Sequence, residues 1–258
     1  MDRTQKSNRP DIGVCGFPKA MASVFLQVDI VELQQTFYDL LSKRRIMSIK
    51  KAKPEEKKIS MKVWQVVTHP PESPTWKKIK KLPEDGERSN YGYLKPTEEN
   101  FTALKLSLFQ AKELGAFAAI LQTPPSMPYN LGHLENITEF FRNALSMFSR
   151  EGILLVWEPR GAYAEDVRFL EKISDLGVVI CSDVLKRGML VENDVIYTRL
   201  HGLGEKEVNY AYKYTNEDLE RLKRIVLKYL ENGKKVYVLF NNVYMLDDAV
   251  RFKKLFGE

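Results

Sequence analysis

Four residues of this sequence are of types that ligate metals or exchange protons, and each follows a short apolar run. Three are the carboxylates Glu32, Glu158 and Asp183, and the fourth is the imidazole of His201. Carboxylate oxygens and imidazole nitrogens are ligands for magnesium, manganese or zinc. The same groups act as general acids and bases. We therefore predict that these four residues are catalytic, and that they ligate a divalent metal if one takes part.

A second set of side chains at similar positions is suited to binding a substrate. Arginine offers a planar pair of donors to a phosphate or carboxylate, whereas lysine offers a point charge. Amide and imidazole groups add hydrogen bonds to hydroxyl groups. The predicted substrate-binding residues are Lys62, His69, Gln122, Arg160, Arg199 and Asn241.

Two chemistries suit these residues, and a structural explanation competes with both. With a metal, the site would activate water and neutralise the charge of a phosphate. Without a metal, two carboxylates would act as acid and base, with His201 as a relay. Alternatively, Glu32 and Glu158 form ion pairs with the basic residues, because a buried carboxylate must be paired. In the same way, His69 could hold a turn and Asp183 could cap one.

Eight short apolar runs position these residues, since most of the runs end at one of them. The runs are rich in Val, Ile and Leu and lack strict alternation, which is typical of strands buried on both faces of a parallel sheet. In a parallel barrel the functional groups gather where the strands end. The predicted strands are Ile12–Cys15, Val28–Leu33, Ile59–Val67, Phe117–Gln122, Ile153–Trp157, Val178–Cys181, Val195–Arg199 and Lys235–Phe240.

Amphipathic stretches between the runs predict helices. One helix runs from about Glu98 to Leu114, with Thr97 as its N-cap and Gly115 as its stop. Others cover about residues 134–149, 164–176, 215–233 and 246–256. The stretch 19–26 is short for a helix, and the stretch 186–194 is too short for one. We therefore predict an α/β fold, a TIM-like (β/α) barrel with one or two helices missing, over residues 11–258 after a polar tail at 1–10.

The positive charge of the chain is concentrated in one stretch. The formal net charge is +6, and residues Lys43–Lys81 are rich in Lys and Arg and poor in acids. Such a basic zone favours a partner that is an anionic small molecule or a nucleic acid. A solvated Lys-rich face is the favoured explanation, because no aromatic or Arg pattern for base stacking is interleaved.

The remaining composition limits the class of protein. Cys15 and Cys181 lie in separate apolar runs and are predicted to be buried and reduced. The first ten residues are polar, and no apolar run is long enough to span a bilayer, so we expect a cytoplasmic protein without a membrane partner. No glycine-rich phosphate loop follows a strand, so we expect no nucleotide cofactor. The sequence gives no oligomeric state.

Several motifs occur in an order that resembles a known family. The stretch at residues 31–38, VELQQTFY, resembles the VE-x-N-x-TFY signature of the domain-of-unknown-function 72 family, also called YecE-like. Further similar stretches are LQTPP at 121–125, EPRG at 158–161, RLHG at 199–202 and YVLFNN at 237–242. The stretch WQVVTH at 64–69 is similar to the archaeal branch. Departures are Gln34 in place of the signature Asn, and Cys15-Gly16-Phe17 in place of the family's Ser-Gly-Trp.

The resemblance implies a TIM-like barrel, and it supplies no function. It also implies that one pocket contains Glu32, Lys62, His69, Gln122, Glu158, Arg160, Arg199, His201 and Asn241. From the charged residues at the strand ends and the basic zone, we expect a metal-assisted hydrolase that acts on a phosphate-bearing substrate, with nucleic acid as one candidate. The alternatives are a metal-free enzyme for a small sugar or sugar phosphate, and a non-enzymatic protein that binds an anion or nucleic acid.

Overall fold

Eight parallel strands form one sheet, which closes into a barrel. The computed structural model describes residues 9–83 and 86–257. The strand order is β6-β5-β4-β3-β2-β1-β8-β7, and a bridge between Ser182 and Thr198 joins its two ends. The predicted TIM-like barrel is therefore confirmed. The strands are β1 (Asp11–Cys15), β2 (Ile30–Leu33), β3 (Lys58–Lys62), β4 (Ala118–Gln122), β5 (Leu154–Glu158), β6 (Val179–Ile180), β7 (Val195–Leu200) and β8 (Lys235–Phe240).

Helices follow most strands and cover the outside of the barrel. They are α1 (Met21–Gln27), α2 (Gln35–Tyr38), α3 (Lys43–Ala52), α4 (Glu98–Leu114), α5 (Leu131–Arg150), α6 (Val167–Asp175), α7 (Asn216–Glu231) and α8 (Met245–Lys254). The predicted bounds of α4 are correct: the Thr97 hydroxyl accepts from the Asn100 N–H, and Gly115 is left-handed at φ 63°. Residues 181–194 contain no helix, so the predicted irregularity lies between β6 and β7.

Two helices lie where the sequence predicted a short helix or none. The stretch 19–26, which was expected to be short for a helix, contains most of α1, and α1 has seven residues. The sequence analysis did not identify α3, which is capped by Ser42 and buries only Ile46 and Ile49. Basic residues occupy most of its other positions, so its apolar stripe is narrow.

Period-two alternation of the strands points every second side chain into the barrel. The lower interior is apolar and aromatic, with Tyr197 and Tyr237 among its buried residues. Ser60 and Tyr197 point into the barrel. Lys62 and Arg199 lie two residues further along the same strands, so their buried side chains also point inward, one layer closer to the strand ends. The polar set therefore lies at the carboxyl ends of the strands, which we call the barrel mouth. The opposite end is the barrel base.

Strand β3 is shorter than predicted. The apolar run continues to Val67, but β3 ends at Lys62 and residues 65–67 form a 3-10 turn. Val66 and Val67 are fully buried outside the sheet, so an apolar run alone did not reveal where the backbone left it. As a result, His69 lies on a loop above the barrel mouth instead of at a strand end.

The basic zone does not form one surface. Lys57 lies at the barrel base, where it pairs with Asp29 at 3.9 Å, and β3 begins at the next residue. Lys78 lies on the mouth side, 4.0 Å from the ring centre of Tyr38, which follows β2. Strand β3 and the loop that follows it separate these two lysines. The basic zone is therefore divided between opposite ends of the barrel. In the described part of the chain, every helix is too short or too polar to cross a membrane.

Candidate active site

Side chains from five strands form one chain of polar contacts across the barrel mouth. Lys62 at the end of β3 donates to Gln122 Oε1 at the end of β4. Gln122 Nε2 in turn donates to Glu158 Oε1 at the end of β5, at 2.6 Å. Arg199 on β7 donates to Glu158 Oε2 and reaches Glu32 Oε1 on β2 at 2.9 Å. The structure thus brings five of the ten predicted site residues into this chain of contacts, and a sixth, Arg160, binds Glu158 from its edge.

Arg199 is the centre of this network. Its side chain is fully buried, and its guanidinium lies between the two carboxylates. Burial alone would lower its pKa, but Glu158 and Glu32 raise that pKa well above the usual value. Conversely, burial would raise the pKa of Glu158, but Arg199 holds it well below the usual range. Both groups are therefore charged at neutral pH.

Glu32 is held by neighbours that the sequence analysis did not assign to the site. Gln34 Nε2 donates to Glu32 Oε1 at 2.5 Å, and the Tyr197 hydroxyl donates to Glu32 Oε2 at 2.9 Å. Tyr197 also contacts Ser60 Oγ at 2.8 Å. Since Tyr197 lies two positions before Arg199, the strand alternation was the signal that could have identified it.

The four residues predicted as metal ligands do not form a ligand set. The space between Glu32 and Glu158 is occupied by the cationic head of Arg199. Asp183 instead accepts the backbone N–H of His201 at 2.9 Å and that of Leu185 at 3.2 Å. Within residues 9–83 and 86–257, no group of three or more His, Cys, Asp or Glu side chains is placed to hold a metal. In this arrangement the residues do not fit a divalent cation.

Both histidines of the site are uncharged at neutral pH. Burial lowers the pKa of His201 to about 3, and Arg199 adds to the effect despite the opposing Glu158. Its Nε2 lies 3.4 Å from Arg199 Nη1. Burial and the charge of Lys62 likewise lower the pKa of His69 to about 3. The His69 ring packs edge-on against Phe37, with its Nδ1 2.8 Å from the Thr68 hydroxyl.

The surroundings of Lys62 change the acidity of its amine. Burial and the charge of Arg199 lower the pKa of Lys62 to about 7. Its Nζ lies 3.8 Å from the centre of the Phe37 ring, and its side chain is buried. Among residues 9–83 and 86–257, no carboxylate is within ion-pair distance of this amine. Much of the amine is therefore neutral near pH 7.

The remaining predicted residues lie at the edge of the network. Arg160 donates to Glu158 Oε1 through Nε at 3.1 Å and Nη2 at 2.9 Å. Tyr210 is half exposed, and its ring centre lies 6.3 Å from that of His201. Asn241 follows β8 and bonds through its backbone N–H to Leu200, so it is at the mouth but outside the network.

The cavities differ at the two ends of the barrel. A cavity of about 40 Å³ at the mouth is lined by Glu158, Arg160, Asp183 and His201, among others. It accommodates about one water molecule, so a larger ligand requires its rim side chains to move. A cavity of about 670 Å³ lies at the base beside Lys58, far from the polar network. We place the candidate site by its chemistry and not by cavity size.

A family comparison agrees with the motifs in the sequence. The family model described as "Protein of unknown function DUF72" matches residues 21–258. The chain belongs to the DUF72 family. No curated protein matches it.

Solved structures of DUF72 proteins share the fold. A DUF72 protein from Enterococcus faecalis is 15% identical, with a TM-score of 0.69 and coverage of 97% of this chain and 96% of the other. A DUF72 protein from Thermotoga maritima is 21% identical, with a TM-score of 0.63 and coverage of 96% and 99%. A D-psicose 3-epimerase is 13% identical, with a TM-score of 0.56 and coverage of 95% and 97%. At these identities the similarity shows the fold alone.

Proposed function

We propose that this DUF72 protein is an enzyme that acts on a small anionic carbohydrate, such as a sugar phosphate or a sugar acid. In this proposal Arg160 binds the anionic group, Lys62 is the reactive group and His201 is an uncharged hydrogen-bonding partner. The reaction proceeds by acid–base chemistry without a metal held by the protein. The observation that carries the proposal is the cluster of three largely buried basic side chains at the barrel mouth, of which Arg160 keeps one nitrogen without a partner among the described residues.

The charges of the polar network balance only while Lys62 is neutral. Three basic side chains, Lys62, Arg160 and Arg199, lie among two carboxylates, Glu32 and Glu158. Protonation of Lys62 therefore gives this buried network one net positive charge. An uncompensated buried charge is costly, so binding of an anion at this position is favoured.

Arg160 is the residue best placed to meet that anion. Two of its nitrogens bind Glu158, whereas Nη1 has no hydrogen-bond partner in the described part of the chain. Its side chain is 16% exposed, so the guanidinium is fixed in orientation but reachable from the mouth. Arginine binds phosphate and carboxylate groups with more than one hydrogen bond.

The competing proposals receive less support. Metal-assisted hydrolysis of a phosphate-bearing substrate requires ligands that Glu32 and Glu158 cannot supply while Arg199 lies between them. Binding of a nucleic acid requires a continuous basic face, and the Lys43–Lys81 zone is divided between the two ends of the barrel. The D-psicose 3-epimerase shares the fold, and its substrate is the reason for testing sugars first.

The first test is thermal unfolding of the EDTA-treated protein with sugar phosphates, the corresponding free sugars, sugar acids, divalent metals and short DNA. A ligand present at 100 times its dissociation constant stabilises the folded state by about 2.7 kcal/mol. For a chain of this size, that should raise the melting temperature by roughly 5–10 °C. We expect this rise with an anionic sugar and not with its uncharged counterpart.

Matched variants assign the effect to the site. Arg160→Gln should remove the rise, whereas Arg142→Gln on the exposed face of α5 should retain it. Stabilisation that requires a divalent metal would favour the metal-assisted alternative instead. Equal stabilisation of both variants would show that the ligand binds elsewhere, and the proposal would then be wrong.

A further inference from the structure

We propose that Lys62 is a covalent catalytic residue whose ε-amine forms an imine with the aldehyde or ketone group of an anionic sugar. This inference rests on the proposed function and adds the mode of action of its reactive group. It also narrows the substrate class to carbonyl compounds that carry a phosphate or carboxylate.

The first support is the surroundings of the amine. The ring of Phe37 covers one side of Lys62 Nζ at 3.8 Å, and Gln122 Oε1 accepts one of its hydrogens. A neutral amide orients the amine without stabilising its charge as a carboxylate would. A lysine in such a desolvated site beside other cations is an activated nucleophile.

The charged groups around Lys62 act in both directions. Arg199 on β7 and Arg160 after β5 lower its pKa, whereas Glu158 on β5 and Glu32 on β2 raise it. Burial is the largest influence and favours the neutral amine. The imidazole of His69, on the neighbouring loop, is itself uncharged.

The second support is the position of the anion site relative to the amine. Gln122 Nε2 and the Arg160 guanidinium both donate to the same atom, Glu158 Oε1. Because Gln122 also holds Lys62, only one amide and one carboxylate oxygen separate the amine from Arg160. A small substrate bound by its anionic group at Arg160 would thus present its carbonyl carbon to Lys62 Nζ.

The chemical step needs no oxidant, reductant or metal. The nitrogen lone pair attacks the carbonyl carbon, a C–N bond forms and the carbonyl oxygen becomes a hydroxyl group. The nitrogen releases one proton as the oxygen gains one, which gives a carbinolamine. The nitrogen then releases its second proton to the departing hydroxyl group, which leaves as water as the C=N bond forms. The uncharged His69 imidazole, which packs on the same Phe37 ring as Lys62, is suited to carry the proton.

Reductive trapping of the full-length protein tests the proposal. The protein is incubated at pH 7 with dihydroxyacetone phosphate or glyoxylate and with cyanoborohydride, which reduces an imine to a stable amine. Labelled lysines are then identified by peptide mass mapping. About half of an amine with a pKa of 7 is neutral at this pH, compared with roughly 1 in 2,500 for an ordinary lysine. We expect Lys62 to be labelled about 100- to 1,000-fold faster than the other mapped lysines.

Controls separate this reaction from surface labelling. Lys62→Arg keeps the charge but should abolish the fast phase, and Lys58→Arg at the base end of the same strand should leave it unchanged. Dihydroxyacetone, which lacks the phosphate, should label Lys62 more slowly. Wild-type protein is the decisive sample, so the test does not depend on the folding of a variant.

Two readouts distinguish the possible failures. If no lysine is labelled preferentially but anionic sugars still raise the melting temperature through Arg160, the imine is wrong and the proposed function stands. If neither labelling at Lys62 nor stabilisation occurs, both proposals are overturned. Labelling of Lys62 at the same rate by dihydroxyacetone and by dihydroxyacetone phosphate would also contradict the inference.

Discussion

Arg199 shows that one residue can belong to a candidate site and also to the scaffold of the barrel. The sequence indicated that Glu32, Glu158 and Arg199 lie at strand ends, and it left open whether they ligate, catalyse or pair. The structure shows that they pair. The sequence could not decide this, because the outcome depends on how far side chains from β2, β5 and β7 reach across the interior.

Lys62 should make the stability of the protein depend on pH. Its pKa is about 7 in the folded protein and about 10.4 in an unfolded chain. Between these values the unfolded chain binds the additional proton, so the free energy of unfolding should rise with pH, by at most about 1.4 kcal/mol per unit. Below pH 7 the amine is protonated in both states, so it no longer makes the free energy of unfolding depend on pH. Lys62→Met should therefore lose this rise between about pH 7 and 10.

Urea unfolding at several pH values checks this prediction. The relevant quantity is the difference in unfolding free energy between wild type and Lys62→Met, plotted against pH. Lys105→Met, on the exposed face of α4, is the control for substitution of a surface lysine. Parallel curves for wild type and Lys62→Met would contradict the lowered pKa.

At the scale of elements, strands were easier to predict than helices. β1, β7 and β8 were predicted to within one residue at each end, because strands buried on both faces are continuous apolar runs. The same signal overextended β3 to Val67, since residues 65–67 are buried in a turn outside the sheet. The sequence analysis did not predict α3, because its ten residues are rich in Lys and Arg and bury only two apolar side chains, which is a weak amphipathic pattern.

The loop after β7 contains a glycine, Gly202, whose backbone conformation and close neighbours leave no room for a side chain. Gly202 has φ +83°, and a Cβ there would lie 2.1 Å from the backbone oxygen of Asn209. Gly202→Ala should therefore combine left-handed strain with a backbone clash, and displace the segment that carries Tyr210 beside His201. We expect a loss of stability well above the about 1–2 kcal/mol of left-handed strain alone, and weaker ligand binding.

Gly188→Ala is the matched control for that substitution. Gly188 has a similar φ of +73°, but a Cβ there meets nothing within 4 Å. Left-handed strain should therefore be the only cost of Gly188→Ala to stability. Denaturant unfolding of both variants measures the difference. Equal destabilisation would mean that the Gly202 loop moves aside at no cost.

At the scale of the whole molecule, Asp29 ties distant parts of the chain together at the barrel base. Its carboxylate contacts Lys253 at 2.9 Å, Arg9 at 3.5 Å and Lys57 at 3.9 Å. It also accepts the backbone N–H of Ile12 at 3.1 Å. One buried carboxylate therefore joins the start of β1, the approach to β3 and the end of α8. The sequence did not reveal this, because the partners are separated by up to 224 positions.

Asp29→Asn should weaken the whole barrel. The substitution leaves three cations around a neutral amide in a mostly buried position, and we expect a loss of about 2–4 kcal/mol in unfolding free energy. Asp247→Asn removes one partner of an exposed pair with Lys213 and should change little. Chemical denaturation of wild type and both variants under the same conditions compares their free energies of unfolding. A cost no greater than that of Asp247→Asn would contradict a structural role for this cluster.

The meeting of Arg9 and Lys253 at Asp29 has a practical consequence for measuring ligands. Both lie at the end of the barrel opposite the polar network. A sensor chip or bead that is coupled close to either residue would hold the protein by its base, with the strand ends facing the flowing solution. Immobilised protein should therefore bind small anions as freely as protein in solution, whichever of the two positions carries the tether.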